Sequence, residues 1–130
     1  MIADDEADQT VTPDAFELRR FIAAKRLIHE RLVVLDSTNV RASARARVAE
    51  LAHDYGVPLI AIVLHLPLEE CIKRDKARPH RQVGADVVAQ QYGAMLDSLP
   101  SLSSEGFDRV HVLASPDIES VEFSRVPLLR

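Results

Sequence analysis

Leu59-Ile60-Ala61-Ile62-Val63-Leu64 is the longest strand candidate in the chain, apolar at every position. A strand of that kind is expected to be buried on both faces, as in a parallel sheet. Reading backward, Val57-Pro58 leads in from Gly56, which stops a helix predicted over about Ala42 to Tyr55 with Val48, Leu51 and Ala52 inward. Reading forward, Leu66-Pro67 precedes a helix over roughly Leu68 to Ala77, with Cys71 and Ile72 inward. Arg78-Pro79-His80-Arg81-Gln82-Val83-Gly84 is a loop, and a further helix runs from Asp86 to about Leu99. After a loop over 100–107, Val110-His111-Val112-Leu113 reads as another strand.

Toward the N-terminus, Leu32-Val33-Val34-Leu35 is a second buried-strand candidate, ending at Asp36-Ser37-Thr38-Asn39. Ahead of it, Thr12-Pro13-Asp14 combines a capping residue, Pro at the first helical position and an acid in the first turn. The helix it starts runs to about His29, with Phe16, Phe21, Ala24 and Ile28 at helical spacing. Residues 1–11 are acidic and read as a solvated lead-in. Apolar strands alternating with amphipathic helices predict an α/β fold on a parallel sheet. The expected organisation is one domain over 1–114 and a weakly patterned tail over 115–130.

Composition narrows the possible partners. Sixteen basic and 20 acidic residues give a formal net charge of −4, which argues against a globally basic nucleic-acid binder and leaves room for a local basic patch. The lone Cys71 rules out an internal disulfide and fits a reducing compartment. No apolar run approaches a membrane span and the acidic start is no signal peptide, so a cytoplasmic location is expected, with no membrane partner.

Two constellations have the residue types for chemistry. In open parallel sheets ligands bind beyond the carboxyl ends of the strands, where Asp36, Ser37, Thr38 and Asn39 are expected to emerge. A carboxylate there can orient a Mg²⁺-bound water or hold a cation; equally, the four residues can be a turn that caps the next helix. The second is the run Lys73, Arg74, Lys76, Arg78, His80, Arg81. Arg74 and Arg78 share a helical face if the helix reaches that far, and an anion between them would relieve their repulsion. Guanidinium forks match phosphate oxygens, and Pro79 lets Arg81 reach in from a loop. The competing reading is a solvated basic face partnered by Glu69, Glu70 and Asp75. The five histidines show no metal-ligand spacing, and Cys71 reads as an inert buried thiol. No stretch of the 130 residues fits GxxxxGK[ST], the loop that cradles phosphates.

Taken together, Asp4 to Thr12, Asp14-Ala15-Phe16, Leu32 to Val40, Val63 to Pro67, Cys71, Arg74, Arg78 and Arg81-Gln82-Val83-Gly84 resemble the kinase domain of bacterial polynucleotide kinase-phosphatase. The resemblance covers Ile2 to about Leu113. It implies a three-layer P-loop kinase fold and ATP- and Mg²⁺-dependent phosphoryl transfer to a 5′-hydroxyl end of RNA or DNA. Arg74 and Arg78 match the arginines of the lid, about residues 74–84, that clamp the nucleotide phosphates, with Arg81 beside them. Asp36, Thr38 and Asn39 match the strand-end element next to the reacting centre.

The family's first two strands, its Walker A loop and its general-base Asp would all precede Ile2, so the sheet is expected to be incomplete. The strands at Leu32–Leu35 and Leu59–Leu64 should then pair directly in a three-stranded sheet, or an oligomer should cover the exposed faces. Three functional expectations follow. The chain is a kinase lobe, inactive by itself; a non-catalytic module for protein or nucleic-acid binding; or a fragment that works when a Walker A segment is supplied in trans.

Overall fold

A computed structural model describes residues 12–126. The elements are α1 (Thr12–Ile28), α2 (Ala42–Asp54), β1 (Ile60–His65), α3 (Leu68–Ala77), α4 (Ala85–Ser98), a 3₁₀ helix (Leu99–Ser104), β2 (Arg109–Ala114) and α5 (Ser115–Ile118). The acidic lead-in expected over 1–11 lies outside the described residues. The four major helices begin and end within about two residues of the sequence reading. The loop expected over 100–107 is partly the 3₁₀ helix, and the tail begins with α5.

Local chemistry sets the helix ends. At the end of α1, Glu30 takes a left-handed conformation (φ 55°), while its N–H bonds to Leu27 O and that of Arg31 to Arg26 O. At the end of α2 the same pattern recurs: Gly56 (φ 60°) donates to His53 O, and Val57 donates to Ala52 O. Both are Schellman endings, which satisfy last-turn carbonyls that helix geometry leaves open. Glycine suits the left-handed position without a Cβ clash.

The sheet is parallel, as its apolar strands predict, with β1 beside β2 and Ile60 opposite Arg109 through His65 opposite Ala114. A reciprocal clasp holds the strand starts together. Leu59 N–H donates to Asp108 Oδ2 at 2.7 Å, and Asp108 N–H donates to Leu59 O at 2.8 Å.

Three expectations about burial fail, for one reason. Leu32–Leu35 is not a strand; residues 31–36 carry no regular structure, and Leu32 and Val34 are 66% and 78% exposed. The three-stranded sheet is therefore absent among the described residues, which contain two strands. A strand's hydrogen bonds are all made to a neighbour, and none of the described residues pairs with this run; the Leu32 carbonyl accepts instead from Arg26 Nε and Nη2 at 3.2 and 3.1 Å. Nor is β1 buried on both faces: Ile60, Ile62 and Leu64 are exposed while Ala61, Val63 and His65 are half-buried. On α1 the buried residue is Ala23, with Phe16, Phe21 and Ile28 exposed.

What core there is centres on α2 and the 3₁₀ helix, through Leu51, Ala52 and Leu102. Two charged residues are equally buried, Arg45 and Asp75, each 6% exposed. Both bear on the candidate site.

Candidate functional site

The basic run lies where α3 passes into the loop before α4. Arg74 sits in the last turn of α3, exposed, with Nε 3.0 Å from Glu70 Oε1 one turn back. Arg78 is already outside the helix: its backbone is extended (φ −71°, ψ 129°) and its N–H bonds to Asp75 O. The two arginines therefore do not continue one helical face, which corrects the expectation that rested on their spacing. The residue before a proline is pushed out of the helical region, and Pro79 follows Arg78 directly. Arg81 stands at the loop tip with φ 63° and is exposed. Among the described residues the Arg78 guanidinium has no hydrogen-bond or ion-pair partner.

The loop that carries Arg78 and Arg81 is held at its base. The Asp75 carboxylate accepts the N–H of Val83 on Oδ1 and that of Gly84 on Oδ2, both at 3.0 Å. Those bonds, the Val83 one foremost, hold its pKa below the usual carboxylate range. Gln82 Nε2 reaches back to two carbonyls at the end of α3, Lys76 O at 3.1 Å and Arg78 O at 2.8 Å. Gly84, at φ 94°, turns the chain into α4. Asp75, expected as a solvated partner of the basic side chains, is instead a buried anchor for backbone.

The other constellation is a turn. Asp36 and Thr38 are exposed, and Asp36 has no partner among the described residues. Arg19 Nη1 donates to Ser37 Oγ at 3.3 Å. Asn39 (φ 46°) points its side-chain amide back at Leu35 O and Ser37 O, at 3.4 and 3.3 Å, which closes the turn. Its backbone carbonyl accepts Arg45 Nη1 at 2.9 Å, while its Oδ1 is buried with no partner among the described residues.

Arg45 completes this anchor through a bidentate pair with Glu105, Nε to Oε1 at 2.8 Å and Nη2 to Oε2 at 3.1 Å. That guanidinium holds the Glu105 carboxyl below its usual range. No hydrogen bond or ion pair joins Asp36, Thr38 or Asn39 to Arg74 or Arg78.

Sequence reasoning passed over Arg45, Glu105 and the anchoring role of Asp75. One signal was available: Arg45 falls on the helical stripe of Val48, Leu51 and Ala52, where a charge on an inward face calls for a partner. Cys71 is half-buried, and burial pushes its thiol pKa up, which suits an unreactive role. His65, at the end of β1, has Nε2 3.3 Å from the Tyr92 hydroxyl of α4.

Residues 2–102 match the model of a family described as an AAA domain. The chain belongs to that family. Its members are P-loop, kinase-like nucleotide-binding domains, so the small parallel sheet with its helices is part of a nucleotide-binding architecture. No curated protein matches the chain.

AAA-type P-loop domains typically bind nucleotide with Mg²⁺, and the side chains present fit the two components unequally. Exposed guanidiniums on a pinned loop suit phosphate oxygens. Among the described residues no three metal-ligating side chains come together, so Mg²⁺ would depend on the phosphates and, at most, Asp36. Two open clefts, about 550 and 240 Å³, lie elsewhere, one along Phe21, Lys25 and Arg26 of α1, the other around Gly56 and Asp108. No helix of the described residues is long and apolar enough to cross a membrane.

Proposed function

We propose that this chain is the lid-bearing part of an ATP-dependent polynucleotide 5′-hydroxyl kinase. The observation that carries the reading is the α3–α4 loop: Arg78 and Arg81 are exposed on it, and part-buried hydrogen bonds to the Asp75 carboxylate, with one from Gln82, hold its backbone. Such an arrangement is preorganised to stabilise charge that develops on a transferring phosphoryl group. Arg74, released from Glu70, and Arg78 clamp the nucleotide phosphates, and Arg81 closes on them from the tip. Asp36, Thr38 and Asn39 stand on the acceptor side. In the transfer, the bond from the γ-phosphorus to its bridging oxygen breaks as one to the 5′-oxygen forms, and ADP leaves. The hydroxyl proton passes to a base in the segment that the resemblance places ahead of Ile2. Mg²⁺, when bound, neutralises charge on the phosphates.

Within this reading, the run Leu32–Leu35, irregular in the chain alone, becomes a strand of a three-layer domain when the Walker A segment supplies the strand between it and β1. Exposed Ile60, Ile62, Leu64, Leu32 and Val34 support an apolar partner there. The same exposure favours a second reading, a binding module that self-associates or docks another protein through this surface.

The test is γ-phosphate transfer to a 5′-hydroxyl oligonucleotide by the chain alone and with an upstream GxxxxGK[ST] segment joined or supplied in trans. The kinase reading expects activity only in the complemented form. In that form Arg78→Ala should lower turnover by about 10³-fold with an unchanged melting temperature. Wild-type turnover in Arg78→Ala discards the lid assignment; oligonucleotide binding without transfer in either form favours the binding module.

A further inference from the structure

We propose that Asp75 is a positioning residue for the phosphate-facing arginines, its buried carboxylate tying the far end of their loop back to α3. The inference rests on the lid reading above and concerns how that lid is held.

Each oxygen of this carboxylate takes one backbone N–H, Val83 on one and Gly84 on the other, both at 3.0 Å. Hydrogen bonds to a charged acceptor are about twice as strong as neutral ones, and burial at 6% exposure keeps water from competing. The two bonds span eight and nine residues, so they close a loop rather than cap a helix. Gln82, next to Val83, ties the same end of the loop a second time, onto the Lys76 and Arg78 carbonyls. Residues 78–81 thus hang between the end of α3 and this tied end, and the exposed side chains on them include Arg78, His80 and Arg81.

Charge placement separates this arrangement from simple loop closure. An aspartate three residues before an arginine would ordinarily pair with it and lower its value to an anion. Here both oxygens are engaged by N–H groups, no ion pair forms between Asp75 and Arg78, and the guanidinium is left for a ligand. By contrast, Arg74 is paired with Glu70. The same carboxylate therefore orders the backbone while its attraction to Arg78 stays secondary to its N–H bonds and forms no direct ion pair.

The experiment compares Asp75→Ala and Asp75→Asn with wild type in the chain complemented by the Walker A segment. Amide exchange at Val83 and Gly84 is measured together with kcat and KM for ATP. In Asp75→Ala both amides should exchange at least about tenfold faster, and kcat should fall about tenfold with KM within about twofold, since the clamp acts chiefly in the transition state. Asp75→Asn keeps one acceptor oxygen and should fall between; if Asp75→Ala does not fold, it carries the test. Fast amide exchange with wild-type kcat overturns the inference and leaves the kinase reading intact. Unchanged amides in a folded Asp75→Ala overturn the inference as well. A complemented wild type that transfers nothing overturns the kinase reading and this inference with it.

Discussion

The hairpin of α3, its loop and α4 and the stretch 31–41 between α1 and α2 both carry candidate site residues, and they differ in how complete they are. In the hairpin every anchor lies within about ten residues: Asp75 to Val83 and Gly84, Gln82 to Lys76 and Arg78, Arg74 to Glu70. In the 31–41 stretch the anchor is distant, an Arg45–Glu105 pair 60 residues apart in sequence, and the apolar run Leu32–Leu35 has no partner strand among the described residues. Contacts that are short in sequence form without help from the rest of the fold. A strand is only as ordered as its neighbour.

Removing the distant anchor should have the largest effect on stability. Arg45→Met leaves Glu105 part-buried and unpaired, and such breakage of a buried pair costs about 3 kcal/mol. Urea unfolding gives the value; a loss under 1 kcal/mol would show that the 31–41 turn is held by something else.

Acid should loosen both regions. Asp75 and Glu105 have carboxyl pKa values lowered in the folded state, by N–H donors and by Arg45 respectively. Stability from such groups is present above their unfolded pKa and is lost as pH falls through the folded one. The loss should begin below about pH 4, near ordinary carboxylate values. Amide exchange at Val83 and Gly84 followed from pH 6 downward reads the hairpin separately, and pH-independent protection of those amides would contradict the clamp.

The smaller effects sharpen the contrast. Glu70→Gln removes an exposed pair one helical turn apart and should cost no more than about 0.5 kcal/mol, measured by thermal melting. It should also free Arg74, so a gain in triphosphate affinity is expected in the complemented chain. Val34→Thr should be nearly silent in the chain alone, within about 0.5 kcal/mol, because Val34 is 78% exposed. Added Walker A segment should make the same substitution costly. A large cost in the bare chain would mean that Leu32–Leu35 is already paired in solution, through a second copy.

The sequence was most legible where one residue type dictates a local shape. Gly56 ended α2, and Pro79, two residues after Ala77, ended α3. The parallel sense of the sheet was legible too, because mostly apolar strands alternate with helices, but the neighbour of β1 was not: it is β2 and not the run Leu32–Leu35. The strand at Leu32–Leu35 was misread because its pattern meets the requirement for burial, while burial itself needs a surface to be buried against. Asp75 was misread as solvated for a related reason: an aspartate in a basic run looks the same whether it faces water or the inside of a hairpin.

By itself the sequence determined the succession of the four major helices with β1 and β2, the basic loop and its arginines, and the family to which residues 2–102 belong. Those are properties of short windows, set by backbone sterics, side-chain period and charge. Only the tertiary structure decided which apolar run found a partner, that Arg78 leaves the face of Arg74, and that Arg45 and Asp75 are buried and hold the two site loops. Burial and strand pairing depend on atoms distant in the chain, and the free energy of a buried charge is fixed by what surrounds it.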